Sequence, residues 1–245
     1  MQIGDALSHA VDLKTKPVCV YGSDLIPENG VRSSSIGHCL ASSMYRIAIG
    51  QVKDPVFVGN ESGQPFCRCI GGPAWFGYGS FDPRLPGLMS TGSKDTTNCA
   101  PKYLKKNVSV ASMTYKAVGR IEPLGKYTVM RSCEDMHEDP GAKCIVCFAS
   151  GEQIRDLCAL AHFRSCDALD LISVPWGPAC ATLVTYPAGM AENASSDRIY
   201  IGPTDPSSKE WLPENYMAMG IPARIARMMA EDAERSFLAK QFQVK

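Results

Sequence analysis

Lys143–Phe163, KCIVCFASGEQIRDLCALAHF, changes its hydrophobic pattern in the middle, and that change decides the fold class. Residues 143–149 are a short, nearly unbroken apolar run, as expected of a strand buried on both faces. Gly151–Phe163 then places Ile154, Leu157 and Cys158 at helical spacing. A buried strand that turns at once into an amphipathic helix is the unit of an α/β sheet.

The same plan extends in both directions. Upstream, Pro17–Gly22 and Pro55–Gly59 read as strands, and Ser33, Ser34 and Ser35 offer caps for a helix that runs to about Ile49 and stops at Gly50. Residues 2–13 read as a helix with Ile3, Leu7 and Val11 on one face, residues 107–119 as another helix, and Lys126–Cys133 as a strand. Downstream, Leu169–Val174, Arg198–Gly202 and Glu214–Met219 read as strands, and Trp176–Cys180 opens a short helix that ends before Pro187. Pro222 starts the last helix, whose stripe is Ile221, Ile225, Met228, Met229, Ala233 and Phe237. Residues 80–101 read as a surface excursion and Glu134–Gly141 as an acidic turn.

Each half thus reads strand, helix, strand, then a Gly/Pro segment that carries cysteine. The expectation is one α/β domain over 1–245, a mixed, mostly parallel sheet covered by helices. A weak internal echo relates halves of approximately 1–106 and 107–245. Ligands on such sheets gather at strand ends, where these Gly-rich segments lie.

Lys and Arg together number 25, as do Asp and Glu, so no net field favours nucleic acid or an anionic membrane. MQIGDALSHAVDLKTK lacks the layout of a signal peptide, and no run approaches the length of a membrane span. Eleven cysteines, an odd number in a chain of 245 residues, argue against a disulfide framework and for a reducing cytoplasm, as in an anaerobe.

The strongest chemical group is Cys39, Cys69 and Cys180. Cys39 and Cys180 fall at predicted helix starts, where free N–H groups stabilise thiolate. Cys69 precedes Gly71 and Gly72, where bare backbone can approach sulfur. Soft thiolates select iron–sulfur clusters, zinc or Cu(I). Cys67, two residues before Cys69, is a candidate fourth ligand, and His38 could move a proton or hydrogen-bond a sulfide. Against ligation stands the plainer reading of buried cysteines as small core hydrophobes. Cys144 and Cys147 form a C-x-x-C, but on a strand they point to opposite faces, so core packing is expected there. Cys158, His162 and Cys166 would share a stripe on a continuous helix, again read as core. Glu134, Asp135, His137, Glu138 and Asp139 read as a solvated acidic turn, and Arg198 as a partner for an anionic ligand, Asp197 or Asp205. Walker, Rossmann, nucleophile-elbow and zincin motifs are missing.

Several stretches carry a resemblance. They are Pro17-Val18-Cys19-Val20, Gly37-His38-Cys39, Cys69-Ile70-Gly71-Gly72 with Gly77, Gly177-Pro178-Ala179-Cys180, Asp197-Arg198 and Met219-Gly220-Ile221-Pro222. Their order and spacing resemble the domain of unknown function 169 family of archaea and anaerobic bacteria. The resemblance implies a cytoplasmic α/β protein without an established reaction, in which cysteines matching Cys39, Cys69 and Cys180 recur. The segments 80–101 and 134–139 look peculiar to this chain.

Three functions follow as expectations. The first is a 4Fe–4S protein with its cluster among Cys39, Cys69 and Cys180, walled by Trp75, Phe76, Tyr78 and Trp176; three thiolates would leave one iron open to redox or substrate chemistry. The second is a non-enzymatic module that binds a small molecule or a soft metal. The third is a structural or assembly protein whose last helix joins a homo-oligomer. No nucleic-acid or membrane partner is expected.

Overall fold

Val18 and Val20 face one side of the first strand, Cys19 and Tyr21 the other, and both sides are packed in apolar cores. This two-sided burial runs through the computed structural model, which describes residues 3–36, 39–59, 72–91, 102–118, 121–135, 141–190, 192–205 and 210–240. The strands are β1 (Val18–Ser23), β2 (Val31–Arg32), β3 (Val56–Gly59), β4 (Tyr127–Ser132), β5 (Cys144–Ser150), β6 (Ile172–Ser173), β7 (Ile199–Gly202) and β8 (Tyr216–Pro222). They form one eight-stranded sheet in the order β2-β3-β4-β1-β5-β8-β7-β6.

The sheet is mixed, as expected, but it is mostly antiparallel. Only β2–β3 and β6–β7 pair in parallel among the described strands. The pairs β1–β4, β1–β5, β3–β4, β5–β8 and β7–β8 are antiparallel. The reason lies in what apolar runs report. Near-continuous apolar strands mark burial on both faces, which is usual for parallel sheets but is reached here by an antiparallel one. The helical crossovers that force parallel pairing occur only at the two edges of the sheet.

The strand order is a palindrome. β1–β4 and β5–β8 occupy equivalent places about a pseudo-two-fold axis at the β1–β5 seam. The seam register agrees, because Val18 faces Val146 and Val20 faces Cys144 around the central pair Cys19 and Ile145. The internal echo is therefore a repeat of topology, divided between Ser132 and Cys144.

Helices cover both faces. On one side α3 (Leu40–Ala48), α4 (Gly72–Trp75), α5 (Leu85–Met89), α6 (Val108–Val118) and a π-helical segment, Ala181–Thr185, bury Leu40, Met44, Trp75, Leu88, Tyr115 and Leu183. On the other, α1 (Ile3–Ala10), α7 (Gly151–Ala161) and α8 (Ala223–Asp232) bury Leu7, Leu157 and Met229. A capping box starts α7, with Ser150 accepting from the Gln153 N–H while the Gln153 side chain accepts from the Ser150 N–H.

The helix expected from Ser33 to Ile49 is divided into α2 (Ser33–Ile36) and α3, with Ser33 and Ser43 hydroxyls 3.1 Å apart. Part of the expected excursion at 80–101 is ordered as α5, onto which Lys102 N–H folds back by donating to Leu88 O at 2.8 Å. The last helix comes in three pieces, α8, the 3-10 turn Ala233–Arg235 and α9 (Phe237–Lys240), and Pro222 ends β8 as the α8 N-cap. No helix among the described residues is long and apolar enough to cross a membrane.

Candidate functional site

Cys39 follows the start of β2 (Val31) by eight residues, and Cys180 follows the start of β6 (Ile172) by the same eight. Because β2 and β6 are equivalent edge strands, the two cysteines hold equivalent positions in the repeat. A tyrosine lies six residues beyond each, Tyr45 and Tyr186. Residues between them differ, for instance Leu40 against Ala181 and Ser42 against Leu183. The recurring Cys-x5-Tyr is a signal that the sequence carried and that motif reading missed.

Both cysteines stand at helix starts, as expected. Cys39 is the N-cap of α3, with extended backbone and its carbonyl accepting from the Ser43 N–H at 3.0 Å. Cys180 sits in the first turn after Pro178, whose carbonyl accepts from the Thr182 N–H at 3.2 Å. Cys180 is 2% exposed and Cys39 partly buried, both against the same core cluster. α3 lies over β4, β1 and β5, and the π-helical segment over β5, β8 and β7, so β5 is their common floor.

The π-helical segment sits unusually close to its strands. A Cβ on Gly220 would lie 2.5 Å from Leu183 O, and one on Gly202 2.5 Å from Thr182 Oγ1. Only glycine allows this approach. The widened helix turn places the Thr185 hydroxyl where it donates to the Trp75 carbonyl, joining α4 to the helix opened by Cys180. π-bulges of this kind concentrate at functional sites.

Gly72 opens α4. Cys67, Cys69, His38 and Gly71 lie outside the described residues. Of the expected walls, Trp75 and Trp176 are linked through Tyr115, with ring centroids 5.8 Å and 6.2 Å apart. Phe76 is buried in the same core, and the Tyr78 hydroxyl donates to Gly125 O at 3.0 Å. Among the described residues, no group of three or more His, Cys, Asp or Glu side chains could hold a metal.

Residues 6–232 match the model of the domain of unknown function 169 family, described as uncharacterised ArCR proteins. The chain belongs to that family. No curated protein and no solved structure matches it. The match spans both halves of the palindrome, so the repeat, with Cys39 in one half and Cys180 in the other, lies within the family's extent.

The remaining cysteines of this family member separate clearly. Cys144 and Cys147 on β5 point into opposite cores. Burial pushes the Cys147 thiol up to about 12, and Cys144 also well above its ordinary value. Neither is primed for redox exchange, which needs thiolate. α7 ends at Ala161, so Cys166 leaves the helix, and His162 Nδ1 lies 2.9 Å from Cys158 O. The stripe of Cys158, His162 and Cys166 is therefore not assembled. Glu134 pairs with Lys16 at 2.6 Å, and residues 136–140 lie outside the described residues.

Arg198 pairs with Asp170 rather than with Asp197 or Asp205. Its Nε donates to the Asp170 carbonyl at 2.6 Å, and Asp197 is bound by Arg224. Arg198 also lines a cavity of about 270 Å³ between α6, the edge strand β6 and its neighbour β7.

Proposed function

We propose that this protein holds a thiolate-ligated metal centre, an iron–sulfur cluster of the 4Fe–4S type, on Cys39, Cys180 and Cys69. The observation that carries the reading is the equivalence of Cys39 and Cys180 across the pseudo-two-fold axis, each at the start of a helix on one sheet face. A cysteine that only filled space would not need the same place in two halves whose neighbouring residues differ. The donor chemistry fits, because thiolates at helix starts meet N–H groups and select soft metals.

Support for Cys69 is indirect. It precedes Gly72 by three residues, and α4, which begins there, is tied to the helix of Cys180 through Thr185 and Trp75. Three thiolates would leave one iron available to a substrate or an electron partner. Such a centre requires a reducing compartment, the cytoplasm.

The test is purification without oxygen, with iron and acid-labile sulfide measured on wild type and on Cys39→Ser, Cys69→Ser and Cys180→Ser. Metal and visible absorbance should be present in the wild type, fall in each variant, and persist in Cys147→Ala. Wild-type protein that carries no iron and cannot be reconstituted with iron and sulfide would overturn the reading.

A further inference from the structure

The cavity beside Arg198 is built like a ligand site, and none of the cysteines proposed to hold the metal lines it. Its volume of about 270 Å³ is just under the range of small-molecule sites. Trp176, Tyr186, Tyr200 and Val118 supply an aromatic and aliphatic wall, and Arg198 is the one charged residue among the described residues of the lining. Among the described residues, no carboxylate lines the cavity.

Two polar groups there keep hydrogen-bonding capacity to spare. Tyr186 is 9% exposed, yet its hydroxyl has no hydrogen-bond partner among the described residues. The Tyr186 side chain lines the cavity. Burial pushes its phenol up to about 12, so at neutral pH it is a proton donor that lacks an acceptor. Arg198 is held at one edge by Asp170, through Nε to the carbonyl at 2.6 Å and through Nη2 to Oδ1 at 3.4 Å. Nη1 has no partner among the described residues. The Asp170 carboxylate is 77% exposed, so its hold on the charge is weak.

The frame is fixed. Thr204 Oγ1 donates to Pro175 O at 2.9 Å and accepts from the Gly177 N–H at 3.1 Å, which sets Trp176. Lys105 Nζ lies 3.9 Å from the Trp176 ring centroid and adds positive potential. Asn193 is anchored by donating to Ala117 O at 2.7 Å, which leaves its amide oxygen as an acceptor. At the equivalent place in the first half, Tyr45 packs on Phe148 and Trp211 with ring centroids at 5.3 Å and 6.1 Å.

We infer that this cavity binds a small aromatic monocarboxylate, its ring against Trp176 and Tyr200 and its carboxylate accepting from Arg198 and the Tyr186 hydroxyl. A guanidinium and a neutral hydroxyl donor match one carboxylate, and the apolar wall excludes a bare inorganic anion as the preferred occupant.

The experiment is a ligand-observed NMR titration with phenylacetate, benzylamine and acetate as probes. Phenylacetate, with roughly ten heavy atoms, should bind with a Kd of about millimolar or tighter. Benzylamine and acetate should each bind at least tenfold more weakly. Arg198→Gln should weaken phenylacetate about tenfold and Tyr186→Phe several-fold, while Asp170→Asn should leave it unchanged or tighter. Exposed Arg155→Gln serves as the control, and near-UV circular dichroism confirms each variant's fold. Absence of phenylacetate binding, equal binding of benzylamine, or full affinity in well-folded Arg198→Gln would each overturn the assignment. Iron content does not enter the readout, so failure here is distinct from failure of the metal centre.

Discussion

Cys144 and Cys147 show how position on an element governs a thiol. Three residues apart on a strand they face opposite cores, and the same spacing at a helix start would make a redox pair. In native protein, alkylation followed by mass spectrometry should mark exposed Cys166 first, and Cys133, Cys144 and Cys147 only after unfolding. Burial raises these three thiols, Cys147 to about 12. In the unfolded chain they ionise from about pH 8.5. The folded form, with its raised values, binds more protons above that pH. Their contribution is thus full below about pH 8.5 and lost as pH rises toward about 12, and the melting temperature should fall over that window. Removing one of these side chains, as in Cys147→Ala, should cost about 1–2 kcal/mol by urea denaturation, a packing loss without loss of metal.

At the scale of elements, the close seat of Ala181–Thr185 on β7 and β8 depends on absent side chains. Gly220→Ala brings a methyl into the space beside Leu183 O, and the expected destabilisation is about 1–3 kcal/mol, read as a lower urea midpoint. The displaced helix should also move Thr185 from Trp75, so the variant tests whether α4 and the Cys180 helix are coupled. Ser150→Ala should cost about 1 kcal/mol by loss of the α7 capping box. Arg164 joins the turn after α7 to the end of α8 through a two-point contact with Asp232, at 2.5 Å and 2.6 Å. The Asp232 side chain is 8% exposed, so Arg164→Ala strands a carboxylate at the surface of the core. A lower urea midpoint is expected, by less than in a fully buried pair because the arginine is 41% exposed.

On the scale of the whole molecule, the β1–β5 seam joins the two halves through strands packed on both faces, so neither half can separate without opening both cores. Unfolding should therefore be one cooperative transition, with far-UV and near-UV circular dichroism coinciding. Two transitions would mean that the repeats fold apart. The apolar run at Lys143–Ala149, the cap at Ser150 and the helical spacing of Ile154 and Leu157 were enough to determine an α/β protein, because local pattern reports how a segment is buried. The order of Gly- and Cys-bearing segments was likewise enough to point to its family. Strand direction was not legible, since the alternation of Val18 and Cys19 is the same whether a neighbour runs parallel or antiparallel. Nor was the equivalence of Cys39 and Cys180 across the repeat, or the cavity lined by Tyr186, which joins α6 to strands more than fifty residues downstream. Those features arise from long-range pairing across the sheet, whose partners are chosen by the fit of whole surfaces, and only the tertiary structure decides them.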